Sequence, residues 1–294
     1  MKYNLYFMKI KKGKIMILDG KKTAENLMKK VAEDVASINE IITLTLILIG
    51  NDPASLVYVN NKQRACADAG INVESHFLEE NATQKEVLKI IEEANNNDKV
   101  HGILVQLPLP SHLDEEVIIN SINPLKDIDG LTLTNQGKLF TGMDAIHPAT
   151  PKGIMTLLQK YFIEISGKNV VVVGRSKLVG KPIALLMLNK NATVTIAHSR
   201  TQNLKDITRK ADILVVAVGK PNFITGDMVK KDAIVVDVGI NKVEGKLVGD
   251  VKYSDVKEIA SYITPVPKGV GPMTIASLLE NIVISYKLLK NKKI

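Results

Sequence analysis

Cysteine and aromatic residues are scarce in this chain of 294 residues. Cys66 is the single cysteine, tryptophan is absent, and aromatic residues make up 4% of the sequence. One cysteine excludes a disulfide framework within the chain and fits a reducing compartment. So few aromatic side chains leave little surface on which bases could stack, which argues against a nucleic-acid-binding module.

Long hydrophobic runs are also missing. The longest, Ile41–Ile49, contains two threonines and is too short to span a bilayer. The apolar stretch Leu5–Met8 is followed by lysines and by no small-residue cleavage site, so it does not resemble a signal peptide. With 45% hydrophobic and 24% charged residues, the composition is that of a globular protein long enough for two domains. We therefore expect a cytoplasmic protein without a membrane segment.

Both ends of the chain lack acidic residues, and this accounts for the net charge of +8. The terminal segments 1–16 and 287–294 contain nine lysines: Lys2, Lys9, Lys11, Lys12, Lys14, Lys287, Lys290, Lys292 and Lys293. Without them the chain has 30 basic and 31 acidic residues. Binding to nucleic acid or another anionic surface would depend on these lysines alone, and the pattern favours solvated ends.

Strand-like and helix-like segments alternate along most of the sequence, which predicts an α/β fold with parallel sheets. The predicted strands are Thr43–Ile49, Val73–Leu78, Val100–Val105, Val170–Val173, Ala192–Ala197, Ile213–Ala217 and Ile234–Val238. The predicted helices are Ala54–Ala69, Lys85–Ala94, Asp114–Ile122, one ending near Phe162, Ile183–Leu188 and Pro272–Leu289. A loop-rich stretch from Asn123 to Pro151 separates two halves near residue 150.

The valine run Val170–Val173 carries the strongest local signal. It has no alternation of apolar and polar residues, so it predicts a strand buried on both faces. A glycine-bounded turn, Gly174–Gly180, and a helical pattern follow, which is the context in which a helix N-terminus can hold a dinucleotide pyrophosphate. The turn departs from G-x-G-x-x-G because Ser176 replaces the middle glycine, so a simple strand-to-helix turn remains an alternative.

The end of the next strand indicates which dinucleotide would bind. An NAD site usually has a carboxylate there, but this chain has His198-Ser199-Arg200-Thr201. The Ser199 hydroxyl and the Arg200 guanidinium suit a 2′-phosphate, and Arg175 adds a second cation. These residues favour NADP, although Arg200 could instead lie on a solvated loop. Glycine turns at Gly219 and Gly239 also follow predicted strands and would let the backbone approach a ligand.

The first half contains a candidate proton-transfer pair. Tyr58 and Lys62 are four residues apart and share one helix face with Cys66, with Ser55 one turn earlier. A lysine on a face of small apolar residues can be buried and can serve as an acid or base. The spacing alone nevertheless favours a lysine that extends its amine to solvent beside an ordinary tyrosine.

Two further segments supply polar groups near strand ends. Gln106 follows the strand Val100–Val105, where ligand sites of α/β sheets are built. The loop Lys126-Asp127-Ile128-Asp129-Gly130 offers two carboxylates without a His or Cys cluster, so metal binding is the weaker interpretation and we predict no metal. One fixed carboxylate could instead accept hydrogen bonds from an amino-pyrimidine edge.

Taken together, these segments resemble the family of bifunctional methylenetetrahydrofolate dehydrogenase/methenyltetrahydrofolate cyclohydrolases. The resemblance runs in family order from about residue 17 to residue 290. The matching motifs are Gly50-x-Asp52-Pro53-Ala54-Ser55-x-x-Tyr58-x-x-x-Lys62, Val105-Gln106-Leu107-Pro108-Leu109-Pro110, Lys126-Asp127-Ile128-Asp129-Gly130-Leu131, Thr150-Pro151-Lys152-Gly153, Gly174-Arg175-Ser176-x-x-Val179-Gly180-Lys181-Pro182, Asp237-Val238-Gly239-Ile240-Asn241 and Thr264-Pro265-Val266-Pro267-x-Gly269-Val270-Gly271-Pro272-Met273-Thr274.

The resemblance implies two domains: a folate-binding catalytic domain over 1–149, and a doubly wound, Rossmann-like NADP domain over 150–272. The last helix, 273–294, would pack back on the first domain. The implied activity is NADP-dependent oxidation of 5,10-methylene- to 5,10-methenyltetrahydrofolate, followed by hydrolysis to 10-formyltetrahydrofolate. The family also implies a homodimer whose ligands are tetrahydrofolate one-carbon derivatives.

The resemblance also implies residue roles. Lys62 would be the catalytic lysine, most needed for hydrolysis, with Gln106 tuning its protonation. Tyr58 would pack on the folate and Asp129 would anchor the pterin. The remaining substrate-binding positions would be Leu107 and Pro272, and the cofactor positions would be Gly174, Arg175, Ser176, Ser199, Arg200, Ile240, Thr150 and Thr274.

The chain departs from the family pattern at two positions. Ala149 stands where cysteine is frequent, and Lys268 stands where glycine is usual, which leaves the conformation of that loop open. Two other enzyme classes share part of this pattern. Short-chain dehydrogenases share the Tyr/Lys spacing, but their glycine turn comes first in the chain. A shikimate-dehydrogenase-like enzyme has the right domain order but does not account for Gln106 or Asp129.

Overall fold

The computed structural model describes residues 15–291. In this range the strands are β1 (Met16–Ile17), β2 (Thr43–Ile49), β3 (Asn72–Leu78), β4 (Val100–Val105), β5 (Asn169–Val173), β6 (Thr193–Ala197), β7 (Ile213–Val216), β8 (Ile234–Asp237), β9 (Asn241–Val243), β10 (Lys246–Val248) and β11 (Tyr262–Ile263). The helices are α1 (Gly20–Ala36), α2 (Pro53–Asp68), α3 (Gln84–Asn96), α4 (Glu115–Asn120), α5 (Leu133–Thr141), α6 (Ala149–Lys160), α7 (Gly180–Leu188), α8 (Leu204–Thr208), α9 (Tyr253–Val256) and α10 (Val270–Asn291). Seven of the nine terminal lysines, all except Lys287 and Lys290, lie outside the described residues.

The first half builds a parallel three-stranded sheet in the order β3-β2-β4. Every residue of the central strand β2 is buried. Leu44, Leu46 and Leu48 face one hydrophobic cluster, whereas Ile47 and Ile49 face another. Side chains alternate between the two faces of a strand, so an uninterrupted apolar run is what a sheet covered on both sides requires.

The second half builds a six-stranded parallel sheet in the order β1-β11-β8-β7-β5-β6. Val170 and Val172 of β5 face one hydrophobic cluster, and Val171 and Val173 face a second one. The prediction of a strand buried on both faces is thus confirmed. Strand order reverses at β5, which has β6 on one side and β7 on the other, and ligands of doubly wound sheets bind at such a reversal.

Helix α10 joins the two halves. It packs against α1 and α6 and also contacts α2 and β4. Asn281 fixes it to the first half, because its Nδ2 donates to the carbonyl oxygens of Ile128 (2.8 Å) and His147 (2.9 Å). The predicted fold class, including the return of the last helix to the first domain, is confirmed. Within residues 15–291 no helix combines the length and the apolarity needed to cross a membrane.

The first described strand belongs to the second sheet. Met16 and Ile17 of β1 pair with Tyr262 and Ile263 of β11, so within residues 15–291 the chain adds a strand to the larger sheet before it builds the smaller one. The division into 1–149 and 150–272 stays a prediction, and β1 shows that the first segment contributes a strand to the second sheet.

The loop-rich interpretation of Asn123–Pro151 was wrong in part, because helix α5 lies inside it. Only Asn135 and Leu139 of this helix are buried, so its apolar stripe is too thin to show in the sequence. Helix α1 was not predicted either. Much of its buried face consists of small residues (Gly20, Thr23 and Ala24), which give a weak apolar period.

Candidate active site

A cleft of about 470 Å³ lies between the two halves of the protein. We call its two sides the catalytic wall and the cofactor wall. The catalytic wall comes from the first half and contains Asp52, Ser55, Tyr58, Lys62, Gln106, Leu107, Pro108, Asp129 and Leu131. The cofactor wall comes from the second half and contains Thr150, Leu178, Val179, Val238, Ile240, Val270, Gly271, Thr274 and Ile275. Residues far apart in sequence therefore share one cavity.

Helix α2 carries the tyrosine and the lysine of the catalytic wall. Its first turn is fixed by the Asp52 carboxylate, which accepts a hydrogen bond from the Ser55 backbone N–H at 2.8 Å, with proline at the first helical position. Tyr58 is 46% exposed, but Lys62 is only 9% exposed. The expectation that spacing alone favoured, an amine extended to solvent, is therefore wrong. The buried Cys66 one turn further on closes the inner side of this face.

Gln106 holds the amine of Lys62. Lys62 Nζ donates to Gln106 Oε1 at 3.0 Å, and Gln106 Nε2 donates to the Leu107 carbonyl oxygen at 2.6 Å. The Gln106 backbone N–H donates to the Ile47 carbonyl oxygen at 2.9 Å, which anchors it at the end of the sheet. Both ends of the amide are engaged, so the side chain is fixed with its oxygen toward the lysine.

The two carboxylates of the Lys126–Gly130 loop have different environments. Asp127 is buried and accepts hydrogen bonds from the Thr132 backbone N–H (2.8 Å) and from Asn135 Nδ2 (2.9 Å), which ties the loop to α5. Asp129 is half-buried and lines the cleft. Only Asp129 is thus available to a ligand there. Over residues 15–291 no three His, Cys, Asp or Glu side chains gather where they could hold a metal ion.

Burial shifts the acid–base properties of the groups around Lys62. It raises the pKa of the Asp129 carboxyl above its ordinary value, and the charge of Lys62 partly opposes this rise. Burial also raises the pKa of the Cys66 thiol to about 12, again against the effect of Lys62. A thiol with so high a pKa remains protonated and unreactive, so Cys66 takes no part in proton transfer beside Lys62 and Asp129.

The turn after β5 has the geometry that close approach of a ligand requires. Gly174 adopts φ +131°, and a Cβ there would lie 2.2 Å from the Ala217 carbonyl oxygen. A Cβ on Gly180, at the start of α7, would lie 2.4 Å from the Gly174 carbonyl oxygen. Only glycine fits at either position, so the backbone is packed against the helix N-terminus as in a pyrophosphate-binding turn. These residues fit a dinucleotide.

Ser176 is used by the turn itself. Its Oγ accepts hydrogen bonds from the backbone N–H groups of Val179 and Gly180, both at 3.2 Å. The hydroxyl therefore holds the turn against the start of α7, although Ser176 is not the N-cap residue, which is Val179. The replacement of the usual middle glycine thus has a structural cause that is independent of any ligand.

The predicted phosphate-binding groups lie at neighbouring strand ends but do not line the cleft. Val173 pairs with Ala197, and the Gly174 N–H donates to the Ala197 carbonyl oxygen at 2.8 Å, so the turns after β5 and β6 are adjacent. Arg175, Ser199 and Arg200 on these turns are exposed. Neither arginine has an ion-pair partner within 4 Å among residues 15–291. Their positive charge is thus free to act on an anion beyond the cleft.

Helices α6 and α10 meet at the base of the cofactor wall. The hydroxyl oxygens of Thr150 and Thr274 are 2.9 Å apart, and both residues line the cleft. Ile240 also lines it and is 47% exposed. Pro272 does not line the cleft, although Gly271 beside it does. The structure therefore brings Thr150, Thr274 and Ile240 to the site and leaves Pro272 behind it.

Four lining residues of the catalytic wall were not predicted as site residues: Asp52, Ser55, Pro108 and Leu131. Ser55 is 4% exposed and Asp52 caps the same helix. The position of Ser55 one turn before Tyr58, on the same helix face, was the signal that could have identified it. On the cofactor wall, Val238, Val270 and Ile275 are apolar and carry no sequence signal that separates them from core residues.

Comparisons with known proteins support both halves of the site. Residues 18–129 match the catalytic domain of tetrahydrofolate dehydrogenase/cyclohydrolase, and residues 148–290 match its NAD(P)-binding domain. The chain is 52% identical over 276 residues to the bifunctional protein FolD of Acetivibrio thermocellus, with 92% of this chain and 97% of that protein covered.

Solved structures agree. The bifunctional FolD methylenetetrahydrofolate dehydrogenase/cyclohydrolase of Campylobacter jejuni is 46% identical, with a TM-score of 0.92 and coverage of 95% and 99% of the two chains. The Trypanosoma brucei methylenetetrahydrofolate dehydrogenase-cyclohydrolase, solved with NADP cofactor and an inhibitor, is 38% identical, with a TM-score of 0.89 and coverage of 93% and 98%.

The shikimate-dehydrogenase alternative receives only distant support. A shikimate dehydrogenase in complex with NADP+ is 16% identical, with a TM-score of 0.51, and covers 86% of this chain and 98% of its own. A likeness at this level shows a shared fold and no more. The residues that this alternative leaves unexplained, Gln106 and Asp129, are the ones that the cleft brings beside Lys62.

Proposed function

The chain belongs to the tetrahydrofolate dehydrogenase/cyclohydrolase family, and from this membership we propose how its residues divide two successive reactions. The protein oxidises 5,10-methylenetetrahydrofolate to the 5,10-methenyl form with NADP and hydrolyses that product to 10-formyltetrahydrofolate. One observation carries the assignment of roles: the hydrogen bond of 3.0 Å between Lys62 and Gln106 in a cleft that also contains Asp129.

The catalytic wall binds the folate and handles protons. We assign Asp129 to the pterin, because a half-buried carboxylate can accept hydrogen bonds from an amino-pyrimidine edge. We assign Tyr58 to packing on the folate, since its exposed ring lies on the same wall, and Leu107 to the substrate as its apolar neighbour. Lys62 is the group that moves a proton when water adds to the methenyl carbon, and Gln106 keeps its amine in place.

The cofactor wall positions the dinucleotide. NADP, when bound, supplies the hydride acceptor for the first reaction. The Gly174–Gly180 turn and the start of α7 would hold its pyrophosphate, and Ser199 with Arg175 and Arg200 would bind the 2′-phosphate. Thr150, Thr274 and Ile240 would contact the part of the cofactor that enters the cleft. This wall contributes no ionisable side chain to the cleft, so its role is to orient two ligands.

An absorbance assay with each nucleotide tests this assignment. The purified protein, supplied with methylenetetrahydrofolate, should form methenyltetrahydrofolate and then consume it. The first step should run faster with NADP than with NAD, because the strand end carries Ser199 and Arg200 and no carboxylate. Equal or faster turnover with NAD would contradict the assignment of these two residues, and absence of both steps would contradict the function.

We also propose a homodimer. Strand β6 is an edge of the six-stranded sheet, it carries no charged residue, and its Ile196 is 42% exposed. An uncharged exposed edge is suited to pairing with a second copy. Light scattering on Thr195→Lys, which places a charge on the exposed edge, should show a monomer, whereas the unmodified chain should be twice that mass. A monomeric unmodified chain would refute the proposal.

A cytoplasmic location is proposed on chemical grounds. The single cysteine forms no disulfide, and nicotinamide and folate cofactors are metabolites of the reducing interior of the cell. Fractionation of the source cells with antibody detection would test it, and recovery in a membrane or secreted fraction would oppose it.

A further inference from the structure

Two buried carboxylates lie directly behind the cofactor wall. Asp237 ends β8 and is 3% exposed, and Asp250 follows β10 and is fully buried. No Lys, Arg or His among residues 15–291 pairs with either of them. Burying an unpaired carboxylate is unfavourable unless several hydrogen bonds stabilise it, so their partners show what they are for.

Asp250 accepts three backbone hydrogen bonds from the turn after β7. Its Oδ2 accepts hydrogen bonds from the backbone N–H groups of Val218 (2.6 Å) and Gly219 (2.9 Å), and its Oδ1 accepts one from Lys220 (2.8 Å). Oδ1 also accepts from Asn241 Nδ2 at 2.9 Å. Asn241 directly follows the cleft residue Ile240. One carboxylate therefore joins the turn after β7 to the segment that forms the cofactor wall.

Asp237 fixes the other end of this segment. Its carboxylate accepts from the backbone N–H groups of Gly239 (3.1 Å), Asp250 (2.9 Å) and Val251 (3.0 Å). Gly239 lies between Val238 and Ile240, both of which line the cleft. A Cβ on Gly239 would lie 2.2 Å from the Asp250 carboxylate, so the wall is packed directly on the buried pair.

We infer that Asp250, supported by Asp237, is a positioning residue for the hydride-transfer step. It acts through Gly219 and Asn241 to hold Val238–Ile240 where the cofactor must lie against the folate. The inference rests on the proposed function, in which hydrolysis uses only the catalytic wall. Water needs no cofactor to attack the methenyl group. Loss of the hydrogen bonds of Asp250 should therefore reduce the dehydrogenase activity and leave hydrolysis in place.

A carboxylate is required at position 250 by the number of donors. Four N–H groups converge on its two oxygens, and an asparagine would offer one acceptor oxygen and turn an NH₂ group toward the remaining donors. Two of the four donors would then lose their partner. The free-energy cost of leaving two buried donors without a partner is large enough to weaken NADP binding about tenfold or more, if binding depends on this geometry.

The test compares Asp250→Asn with the unmodified protein in four measurements. These are NADP affinity by calorimetry, dehydrogenase kinetics, hydrolysis of methenyltetrahydrofolate without NADP, and thermal unfolding. We expect the Kd for NADP to rise about tenfold or more and the dehydrogenase kcat/KM to fall at least as far, with hydrolysis within about twofold of the unmodified rate. A parallel loss of both activities, or unchanged NADP affinity, would overturn the inference.

Asp212→Asn is the matched control. Asp212 lies in the same half and accepts a backbone N–H from Asn169 at 2.9 Å, but at the opposite end of the sheet, before β7, where it also pairs with Lys230. Its replacement should leave NADP affinity unchanged. A rise in the Kd for NADP equal to that of Asp250→Asn would show a general effect of destabilisation and would count against the inference.

Asn241→Ala keeps the inference testable if Asp250→Asn does not fold. This variant cuts the link between the two loops and leaves the three backbone hydrogen bonds of Asp250 intact. We expect the Kd for NADP to rise about threefold while hydrolysis is retained. If NADP affinity is unchanged, the inference fails, whereas an unmodified protein that lacked both activities would refute the proposed function instead.

Discussion

The two walls of the cleft present different kinds of groups to their ligands. The catalytic wall offers side chains that can exchange protons or accept hydrogen bonds, among them Lys62, Gln106 and Asp129. The cofactor wall offers apolar side chains, two threonine hydroxyls and tight backbone turns. Its carboxylates, Asp237 and Asp250, are buried behind it and bind backbone N–H groups. Ionisable groups thus face the ligand on one side and support the frame on the other.

This difference separates the consequences of mutation. A change on the catalytic wall removes a chemical group and leaves the frame intact, so it should affect the reaction that needs that group. A change on the cofactor wall moves backbone, so it should affect affinity and stability first.

The largest effect is expected from Lys62→Met. Loss of a positioned proton carrier costs about 10²- to 10⁴-fold in rate, so hydrolysis of methenyltetrahydrofolate should fall by that order. Oxidation should fall much less, since hydride leaves the methylene carbon without proton abstraction. The two steps are followed separately by absorbance in the purified variant.

Lys89→Met is the control for this experiment. Lys89 lies on α3, its side chain is 75% exposed, and it forms an i,i+4 pair with Glu93. Both activities should be unchanged in this variant. Equal losses of hydrolysis and oxidation in Lys62→Met would break the division between the walls.

A smaller loss is expected from Gly174→Ala in the turn after β5, next to the cofactor wall. The added Cβ would lie 2.2 Å from the Ala217 carbonyl oxygen, and φ +131° is unfavourable for alanine. The turn must move, so we expect weaker NADP binding and a free energy of unfolding lower by about 2 kcal/mol or more, while hydrolysis persists in the folded protein. Calorimetry with NADP and urea unfolding measure both effects.

Gly167→Ala separates strain from steric overlap. Gly167 also has positive φ (+71°), but a Cβ there would meet nothing within 4 Å. Its replacement should cost only about 1 kcal/mol and leave NADP affinity unchanged. If Gly174→Ala lowered the free energy of unfolding no more than Gly167→Ala, the close packing of Gly174 against Ala217 would not be what fixes the turn after β5.

The residues of the two walls also differ in how well the sequence predicted them. The motifs around Lys62, Gln106 and Asp129 identified the residues that the fold later brought to the cleft, because side-chain chemistry is visible in sequence. The burial of Lys62 was not visible in the sequence, because the hydrogen-bond partner of its amine, Gln106, lies 44 residues away in the chain. On the cofactor wall, Thr150, Ile240 and Thr274 were predicted from the family resemblance, whereas the apolar residues Val238, Val270 and Ile275 were not.

The roles of Asp237 and Asp250 were invisible in the sequence for a similar reason. All of their partners except Asn241 Nδ2 are backbone N–H groups, and any residue type except proline can supply these. Helix α5 was missed because one buried leucine, Leu139, leaves almost no period. The pattern of apolar residues predicted the strands that are buried on both faces. It failed for helix α5, which has few buried residues of its own.

A pH effect on stability should distinguish buried carboxylates from surface ones. Burial raises the pKa of Asp237 to about 7, against the effect of its three N–H donors. The folded state therefore binds a proton that the unfolded state releases between about pH 4 and pH 7. Stability from this group falls as pH rises through that window, by at most about 1.4 kcal/mol per pH unit.

Urea unfolding of Asp237→Asn across pH 5 to 8 tests this sign. The difference in free energy of unfolding between the unmodified protein and the variant should shrink as pH rises. The reason is that the unmodified protein loses the stability that it gains from the proton on Asp237. In Asp212→Asn the loss should stay constant, since the hydrogen bond from Lys230 holds the pKa of Asp212 below its ordinary value and outside this window. Parallel pH profiles for the two variants would contradict the assignment.

The smallest effect concerns Lys268, which stands where the family usually has glycine. It adopts φ +83°, a region that favours glycine, and its carbonyl oxygen accepts a hydrogen bond from the Lys21 N–H at 2.9 Å. The loop thus keeps its shape despite the substitution, at a cost of about 1 kcal/mol. Lys268→Gly should recover most of this, offset in part by the greater freedom of glycine in the unfolded chain.

We therefore expect Lys268→Gly to raise the free energy of unfolding by about 0.5 kcal/mol and the Tm by about 1–2 °C. Lys268→Ala is the control, because it removes the side chain but keeps the unfavourable φ, and it should give no gain. Both activities should stay unchanged, since the exposed side chain does not line the cleft. If Lys268→Ala raised the free energy of unfolding as much as Lys268→Gly, the side chain of Lys268 and not its backbone conformation would be the source of strain.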